Sequence, residues 1–541
     1  MAETAHVDGF VRDNLPPPEE WPELLFTLPE LRYPARLNCG VELLDRRVAE
    51  GDGERPCLRS PETSWSYGET LSRVNRIARL LTEEMGVVPG NRVLLHGLNT
   101  PWLAACWLAV MRAGAVAVTT MPLLRAGELE KVVRKAEIRH ALCDARLAAE
   151  VEGCRGRVPS LSRIVYFATE AADGLEARIA RKTDDFTPCP TAADDPALLA
   201  FTSGTTGVPK ACVHFHRDVL AMCDSFARHI LRGEPEDLFS GSPPLGFTFG
   251  LGGLLCFPLR IGASTLLLEQ GSPPRLAEAI ERYRVRCLFT APTAYRALLG
   301  LSDTHDLGSL RRCVSAGEAL PKPTWEAFRE ATGIRLIDGI GATEMIHIFI
   351  SAADDEIRPG ATGRPVPGYV ATVLDDNLEE CPPGVPGRLA VKGPTGCRYL
   401  ADPRQRDYVQ RGWNITGDTY VRDEDGYFFF RARSDDMIVS AGYNIAGPEV
   451  EVALLGHPAV AECGVVGAPD PERGQIVKAF VVLAPGYRPG PELARELQDH
   501  VKATIAPYKY PRAVVFLPEL PKTPTGKLQR YRLRELAREE A

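Results

Sequence analysis

The sequence predicts an α/β protein with a large N-terminal domain of helix and strand layers, a β-rich subdomain and a small C-terminal α+β domain. Helix-like and strand-like segments alternate from residue 43 onward, which favours parallel strand pairing. After residue 360 the pattern changes to short, turn-rich strands. Beyond residue 433 it becomes a compact βαββαβ unit. Because 541 residues exceed what one hydrophobic core serves, we expect two domains, at 1–433 and 434–541.

Apolar periodicity predicts the elements of the large domain in chain order. The opening segment is rich in proline and acidic side chains, so we expect it to wrap over the surface. The pattern helix, strand, helix, strand then occurs twice, over 73–85, 91–97, 102–114 and 115–121 and over 274–283, 285–290, 294–299 and 310–316. Arg112, Gly114 and Pro122 interrupt the apolar stretch 102–124, which predicts a buried helix and a strand rather than a membrane span.

Short strands and a small domain complete the prediction. The segments GRPVPGYVATVLDD, GVPGRLAVKGP and GYFFFRARSDD are typical of a β-rich subdomain. The C-terminal unit is predicted as strand MIVSAGYN, helix PEVEVALLG, strands AECGVVGA and KAFVVLA, helix LARELQDHVKATI and strand RAVVFLP. We place the domain boundary at residues 434–435.

Composition narrows the function classes. The formal charge of −8 argues against nonspecific binding to nucleic acid or to an anionic membrane, since both need a basic face. The 14 cysteines are scattered without CxxC pairs or metal-ligand spacing, which favours reduced thiols. The N-terminus has no basic segment followed by an apolar core, so no secretory signal is indicated. We expect a cytoplasmic protein that binds neither nucleic acid nor membrane.

The string FTSGTTGVPK at 201–210 predicts a polyphosphate-binding loop between two short strands. Glycines let backbone N–H groups approach an anion, hydroxyls add donors and a lysine adds positive charge. The spacing differs from a Walker loop, because Val208 and Pro209 separate the second glycine from the lysine and no Ser or Thr follows. The candidate ligands are Thr202, Ser203, Gly204, Thr205, Thr206, Gly207 and Lys210.

The string DGIGATEM at 338–345 predicts a site for Mg²⁺ and a phosphate oxygen. Glu344 offers a carboxylate and Thr343 a hydroxyl at a glycine-broken strand end, and Mg²⁺ prefers such hard oxygen ligands together with substrate phosphate. A simple helix cap is the alternative for this pair when it is taken alone.

Together these strings resemble the adenylate-forming superfamily of acyl- and aryl-CoA synthetases, luciferases and peptide-synthetase adenylation domains. SAGEALP at 315–321, TGD at 416–418, RARSDD at 431–436 and PKTPTGKLQR at 521–530 follow in the order of that family. The resemblance implies that a carboxylate attacks the α-phosphorus of MgATP, giving an acyl-adenylate and pyrophosphate, and that a thiol then displaces AMP. ATP, Mg²⁺ and CoA are the implied cofactors.

The resemblance also implies roles for individual residues. Lys527 matches the lysine that bridges the acyl carboxylate and the α-phosphate, and Asp435 the hinge about which the small domain swings. Ile340 stands where relatives often stack an aromatic ring on adenine, so apolar packing would hold the purine. Further implied ATP contacts are Gly317, Glu318, Asp338, Gly339, Thr343, Asp418 and Arg433, with Glu344 as metal ligand; the implied CoA contacts are Gly442, Tyr443 and Lys509. A structural role for Lys509 stays open.

The predicted acyl pocket lies between PPLGFTFGLG and DGIGATEMIHIF, and it favours a flat, short aromatic acid over a fatty chain. Its candidate residues are Phe247, Thr248, Phe249, Ala316, Gly341, His347 and Ile348. A hydrogen-bonded core histidine is the alternative for His347. With GYNIAGPEVE, these strings look most like the benzoate and 2-aminobenzoate CoA ligase branch.

Other functions would share part of this pattern. A free-standing adenylation enzyme that loads an aryl acid onto a carrier protein would carry every motif. A luciferase-like oxygenase is less favoured, since no second cofactor motif is visible. A catalytically silent nucleotide-binding regulator would be favoured if Lys527 or Glu344 were absent, and both are present. The sequence leaves monomer and homodimer open.

Overall fold

The protein is described from a computed structural model that covers residues 3–202, 209–433, 436–440, 443–470, 473–505, 507–522 and 528–539. Its strands form sheets of six, nine and five strands, a two-stranded hairpin and a three-stranded C-terminal sheet, with helices packed between them. The predicted α/β class is therefore confirmed.

The six-stranded sheet is parallel except at one edge. Its strand order is Arg163–Phe167, His140–Asp144, Arg92–His96, Val116–Thr120, Pro196–Thr202 and Lys210–Phe215. Only the last pair is antiparallel. Strand Arg92–His96 is buried along its whole length, as expected for a parallel strand covered by helices on both faces.

The nine-stranded sheet carries the second predicted alternation of helices and strands. Its order is Arg364–Pro365, Ile348–Ser351, Ile337–Gly341, Arg312–Ser315, Cys287–Thr290, Leu238–Gly241, Ser264–Leu266, Pro56–Arg59 and Ser64–Ser66. The strands from Ile337–Gly341 to Pro56–Arg59 are parallel, and the pairs at both edges are antiparallel.

The predicted β-rich subdomain is a five-stranded antiparallel sheet. It consists of Val370–Leu374, Gly387–Lys392, Val409–Gln410, Trp413–Arg422 and Phe428–Arg433. The C-terminal sheet consists of Val460–Asp470, Gly474–Leu483 and Ala513–Phe516, and the hairpin pairs Met437–Ser440 with Tyr443–Ala446.

The α-helices include one at each of the six segments where apolar periodicity predicted a helix, together with others that were not predicted. They are Phe10–Asp13, Tyr67–Arg79, Pro101–Arg112, Ala126–Lys135, Ala148–Arg157, Leu175–Ile179, His216–Met222, Thr248–Leu251, Phe257–Ile261, Pro273–Tyr283, Pro292–Leu299, Lys322–Thr332, Gln405–Tyr408, Gly447–Leu455, Pro491–Thr504 and Arg530–Glu539. Helix Pro101–Arg112 is almost wholly buried, and strand Val116–Thr120 follows it, which confirms the prediction for 102–124. Within the described ranges, no helix is both long and apolar enough to cross a membrane.

Two details of the C-terminal unit differ from the prediction. MIVSAGYN is not one strand, because the chain reverses after Ser440 and pairs back on itself. Helix Arg530–Glu539 was not predicted, since its arginine-rich sequence has few apolar positions, of which Leu533 and Ala537 are buried. The boundary at 434–435 lies outside the described residues and stays a prediction.

A buried ion pair lies beside the edge of the six-stranded sheet. Arg398 donates a hydrogen bond to Asp218, and both side chains are fully buried. Asp218 Oδ2 also accepts from the Phe215 N–H at 3.0 Å, at the start of helix His216–Met222. Burial is the largest single influence on the pKa of the Asp218 carboxyl and raises it, but Arg398, His214 and Arg217 together outweigh burial, and the pKa is lowered.

Removing this carboxylate should therefore be costly. Asp218→Ala leaves the Arg398 guanidinium buried without its counter-charge, and we expect a loss of about 3–5 kcal/mol of stability. Thermal melting followed by circular dichroism measures the effect. Glu379→Ala is the control, because it breaks the exposed pair with Arg411 and should change the melting temperature little. Equal melting shifts for the two variants would contradict the argument.

Candidate active site

The predicted phosphate loop joins two antiparallel strands, as expected. In the pairing of Pro196–Thr202 with Lys210–Phe215, Thr202 lies directly opposite Lys210. The loop residues Ser203, Gly204, Thr205, Thr206 and Gly207 lie outside the described residues, so their phosphate contacts stay predictions. Because the two strand ends are paired, the backbone of Lys210 has a defined position at the edge of the sheet.

Lys210, Tyr399 and Glu344 form a chain of hydrogen bonds. Lys210 Nζ donates to the Tyr399 hydroxyl at 2.9 Å, and that hydroxyl donates to Glu344 Oε1 at 2.5 Å. Lys210 Nζ and Glu344 Oε1 are 3.8 Å apart. The predicted pyrophosphate-binding lysine and the predicted metal-binding carboxylate are therefore neighbours, although they are far apart in sequence.

The turn that carries Thr343 and Glu344 is held from the neighbouring sheet. It is a short 3₁₀ turn, Thr343–Met345, between strands Ile337–Gly341 and Ile348–Ser351. Ile346 follows with φ of 66°, a backbone conformation that is strained for a β-branched residue. His214 Nε2 lies 2.7 Å from the Thr343 carbonyl oxygen, so Nε2 carries the proton and donates it.

The two predicted ribose contacts lie opposite each other. Asp418 pairs with Arg433 in the register of strands Trp413–Arg422 and Phe428–Arg433, and Arg433 Nη1 is 3.4 Å from Asp418 Oδ1. Gly417, with φ of 77°, provides the bend that the TGD string predicted. A carboxylate and a guanidinium side by side can hold the two hydroxyls of a ribose.

The predicted adenine site contains an unsatisfied carboxyl oxygen. Asp338 Oδ1 is buried without a hydrogen-bond partner among the described residues. Burial raises the pKa of Asp338 to about 8, and the Gly339 N–H offsets only part of this effect. Such an oxygen is suited to accept from an exocyclic amine. Ile340 packs partly buried against the core, and its contact with the purine stays a prediction.

The Gly317–Glu318 segment meets the C-terminal domain. Gly317 adopts φ of 92°, which favours glycine. Glu318 Oε1 accepts a hydrogen bond from the backbone N–H of Leu528 at 3.3 Å. Lys527 itself lies outside the described residues, but the residue after it is thus placed at the predicted nucleotide site.

The predicted acyl pocket is centred on a cluster of aromatic rings. The His347 ring lies against Phe226, Phe249 and Phe257, with centroid distances of 5.4, 5.7 and 4.6 Å. A Cβ at Gly252 would lie 2.4 Å from the His347 ring, so only glycine fits there. A Cβ at Gly341 would lie 2.9 Å from the His347 backbone, so close packing of the chain favours glycine there, and the slot for the acid stays a prediction.

The remaining residues predicted for the acyl pocket differ in how far they are buried. Ala316 and Ile348 are buried, and Thr248 begins the short helix Thr248–Leu251. Phe247 is 37% exposed, outside the buried ring cluster, so its role as a pocket wall stays a prediction.

His347 is buried and uncharged. Neither ring nitrogen reaches the distance and angle of a full hydrogen bond with a described residue, but the Phe249 backbone interacts weakly with the ring, so the alternative of a hydrogen-bonded core histidine stays open. Burial lowers the pKa of His347 to about 3, and the Phe249 backbone opposes this only weakly. His347 is therefore a neutral ring near pH 7, and its nitrogens have no strong hydrogen-bond partner among the described residues.

The predicted CoA residues lie in the C-terminal domain. Lys509 Nζ donates to both oxygens of Glu449, at 2.6 and 2.7 Å, so it is engaged within the domain. Gly442 and the hinge residue Asp435 lie outside the described residues, and only the backbone of Tyr443 is described, in strand Tyr443–Ala446. Their roles stay predictions.

Comparison with known families decides what kind of site this is. The model of the AMP-binding enzyme matches residues 45–399, and that of the AMP-binding enzyme C-terminal domain matches 449–527. The chain belongs to the AMP-binding enzyme family. The resemblance to adenylate-forming ligases is therefore confirmed, and the second match ends at Lys527.

Relatives of this AMP-binding enzyme act on aromatic acids. The benzoate–CoA ligase of Thauera aromatica is 35% identical over 514 residues, covering 94% of this chain and 98% of the relative. The crystal structure of anthranilate CoA ligase AuaEII in complex with anthranoyl-AMP superposes with a TM-score of 0.90 at 34% identity, covering 95% of this chain and 99% of that one. A benzoate CoA ligase from Burkholderia xenovorans LB400 gives 0.83 at 32% identity, covering 92% and 99%.

Sequence reasoning missed two residues that contact the candidate site residues, His214 and Tyr399. His214 lies two and four residues after Cys212 and Lys210 on one strand, and side chains of alternating positions share a face. That alternation could have identified His214. Tyr399 follows an irregular segment in the sequence and reaches the site only through tertiary contacts, so no local pattern pointed to it.

The neutral state of His347 predicts a pH dependence of stability. The unfolded histidine binds its proton near pH 6.5 and the folded one only near pH 3, so lowering the pH between these values favours unfolding. Between pH 6 and pH 4.5 this group should cost about 2 kcal/mol.

The comparison of wild type with His347→Phe isolates this effect. The variant keeps an aromatic ring but cannot titrate, so its stability should fall less steeply between pH 6 and pH 4.5 in urea unfolding. Any constant packing penalty cancels, because slopes are compared. Parallel loss of stability in both proteins would show that His347 is already protonated or exposed in the folded state.

Proposed function

We propose that this protein is an ATP-dependent aryl-CoA ligase that converts benzoate or 2-aminobenzoate to its CoA thioester. The observation that carries the proposal is the cluster of aromatic rings around His347, which adjoins the turn bearing Thr343 and Glu344. An aromatic pocket beside a phosphate-binding group suits activation of a flat acid. The relatives named for benzoate and anthranilate support the same substrate class.

The reaction runs in two steps. The carboxylate attacks the α-phosphorus of ATP, a P–O bond breaks, and an aryl-adenylate and pyrophosphate form. The CoA sulfur then attacks the acyl carbon, the C–O bond to the phosphate breaks, and the thioester and AMP leave. AMP is a far better leaving group than oxide, so adenylation makes a poor acyl donor reactive.

Each group of this chain would contribute to the first step. Lys210 offsets the negative charge that develops on the departing pyrophosphate. Asp418 and Arg433 hold the ribose, which fixes the α-phosphorus relative to the pocket. Lys527 would bring the carboxylate and the α-phosphate together by offsetting their repulsion. The reaction therefore depends on positioning two anions rather than on proton transfer.

Glu344 fits a magnesium ion bound together with ATP. The described residues contain no group of three or more His, Cys, Asp and Glu side chains that could hold a metal alone. A single buried carboxylate instead suits Mg²⁺, which takes most of its ligands from water and phosphate oxygens. Glu344 would hold the ion, with Thr343 at the adjoining phosphate oxygen. Bound there, the ion would neutralise triphosphate charge.

The choice between the two acids rests on His347. Its nitrogens lie among aromatic rings without a strong hydrogen-bond partner among the described residues, and a polar ring substituent placed beside them would bond to one of them. This favours 2-aminobenzoate. A carrier-protein thiol in place of CoA is the second candidate acceptor, and a cytoplasmic location and a monomeric or homodimeric state remain predictions.

Substrate selectivity tests the proposed acid class. We expect kcat/KM for benzoate or 2-aminobenzoate to exceed that for octanoate by about 100-fold or more, since a pocket closed by rings cannot accommodate an alkyl chain. Acid-dependent pyrophosphate release, measured with salicylate as a further aryl acid, gives these values. A preference for octanoate would overturn the aryl assignment. Equal thioester formation with CoA and with a carrier protein would mean that the enzyme uses both thiols as acceptors.

Separation of the half-reactions tests Lys527. Lys527→Ala should slow adenylation about 10²–10³-fold, because a charge contact made in the transition state is lost. Thioester formation from a preformed aryl-adenylate should be nearly unchanged. Lys522→Ala is the matched control, since Lys522 forms an ion pair with Glu462 and should leave both steps intact. Equal loss in both half-reactions of Lys527→Ala would refute the role.

A further inference from the structure

The Tyr399 hydroxyl is the middle member of the hydrogen-bond chain between Lys210 and Glu344. Tyr399 is completely buried, and its hydroxyl lies 2.9 Å from Lys210 Nζ and 2.5 Å from Glu344 Oε1. The Lys210 ammonium also lies 4.8 Å from the centre of the Tyr399 ring. One side chain thus contacts both groups that the proposed function places at the phosphates of ATP.

The donor and the acceptor in each of these two hydrogen bonds follow from the charges of Lys210 and Glu344. An ammonium can only donate, and an ionised carboxylate can only accept. The Tyr399 hydroxyl must therefore accept from Lys210 and donate to Glu344.

The backbone of Tyr399 is fixed to the strand that begins at Lys210. Tyr399 forms a β-bridge with Cys212, and the Leu400 N–H donates to the Ala211 carbonyl at 2.9 Å. Gln405 Oε1 accepts from the Tyr399 N–H, also at 2.9 Å. The hydroxyl is therefore presented from a rigid backbone.

We propose that Tyr399 is a positioning residue for the adenylation step: its hydroxyl keeps the Lys210 ammonium and the Glu344 carboxylate close but out of direct contact, ready to receive ATP with its metal. This inference rests on the proposed function. At 3.8 Å the two charges are not hydrogen-bonded to each other. Without the hydroxyl they can close into a direct ion pair, which ATP and Mg²⁺ would have to break.

The chain offers a matched pair of variants for a test. Tyr399→Phe removes the bridging hydroxyl and keeps the ring. Tyr408 packs edge-on against Tyr399 at 5.9 Å, is also buried, and its hydroxyl has no partner among the described residues. Tyr408→Phe therefore removes a neighbouring hydroxyl without breaking a hydrogen bond.

The first measurement is binding of α,β-methylene-ATP by calorimetry at several Mg²⁺ concentrations. We expect Tyr399→Phe to weaken binding about 10-fold, the scale of a lost hydrogen bond to a charged group, and to need more Mg²⁺ for half-saturation. Tyr408→Phe should match wild type. Unchanged affinity and unchanged Mg²⁺ dependence in Tyr399→Phe would overturn the proposal.

The second measurement separates the half-reactions. Tyr399→Phe should slow acid-dependent pyrophosphate release about 10- to 100-fold and leave thioester formation from preformed aryl-adenylate unchanged, because the pyrophosphate has already left. Equal loss in both steps would indicate a general structural defect and contradict the proposal. If wild type releases no pyrophosphate with any aryl acid, the proposed function fails, while the binding measurement still decides the role of Tyr399.

Discussion

Strand Lys210–Phe215 is the element on which the geometry of the site depends. It is paired in register with Pro196–Thr202 on one side and bridged through Cys212 to Tyr399 on the other. Two of its alternating side chains contact the site: Lys210 donates a hydrogen bond to the Tyr399 hydroxyl, and His214 donates one to the Thr343 carbonyl. A slip of one residue would turn these side chains to the opposite face of the strand. The register of one strand thus fixes where Lys210 lies relative to the turn of Glu344.

The buried pair of Asp218 and Arg398 helps to keep that register. A buried ion pair adds little net stability, since desolvation offsets much of the attraction. Its main effect is to hold the segments that carry the two side chains in position. Arg398 precedes Tyr399, and its carbonyl accepts from the Val213 N–H at 2.8 Å. Asp218 accepts from the Phe215 N–H, where the same strand ends. We infer that the pair fastens the 398–400 segment to the strand from its far end.

Much of the fold and part of the site could be predicted from the sequence. Helix Pro101–Arg112 and strand Val116–Thr120 follow from local apolar pattern, and Asp418 and Arg433 were both identified from short strings. Local pattern fails where tertiary contacts decide. Tyr399 gains its position from a bridge to a strand far away in sequence, and the neutral state of His347 depends on the rings packed around it. Motifs identify reacting groups, but they carry little information about what holds them.

The contact between the two domains agrees with a reaction in two steps. Leu528 N–H to Glu318 and Arg296 Nη2 to the Val460 carbonyl are both 3.3 Å long, at the weak end of hydrogen bonding. Within the small domain, by contrast, Arg530 holds both oxygens of Glu451, close to the loop of Lys527. These two hydrogen bonds between the domains cost little to break. That property is what the second step requires, because CoA must reach the acyl carbon that Lys527 would otherwise cover.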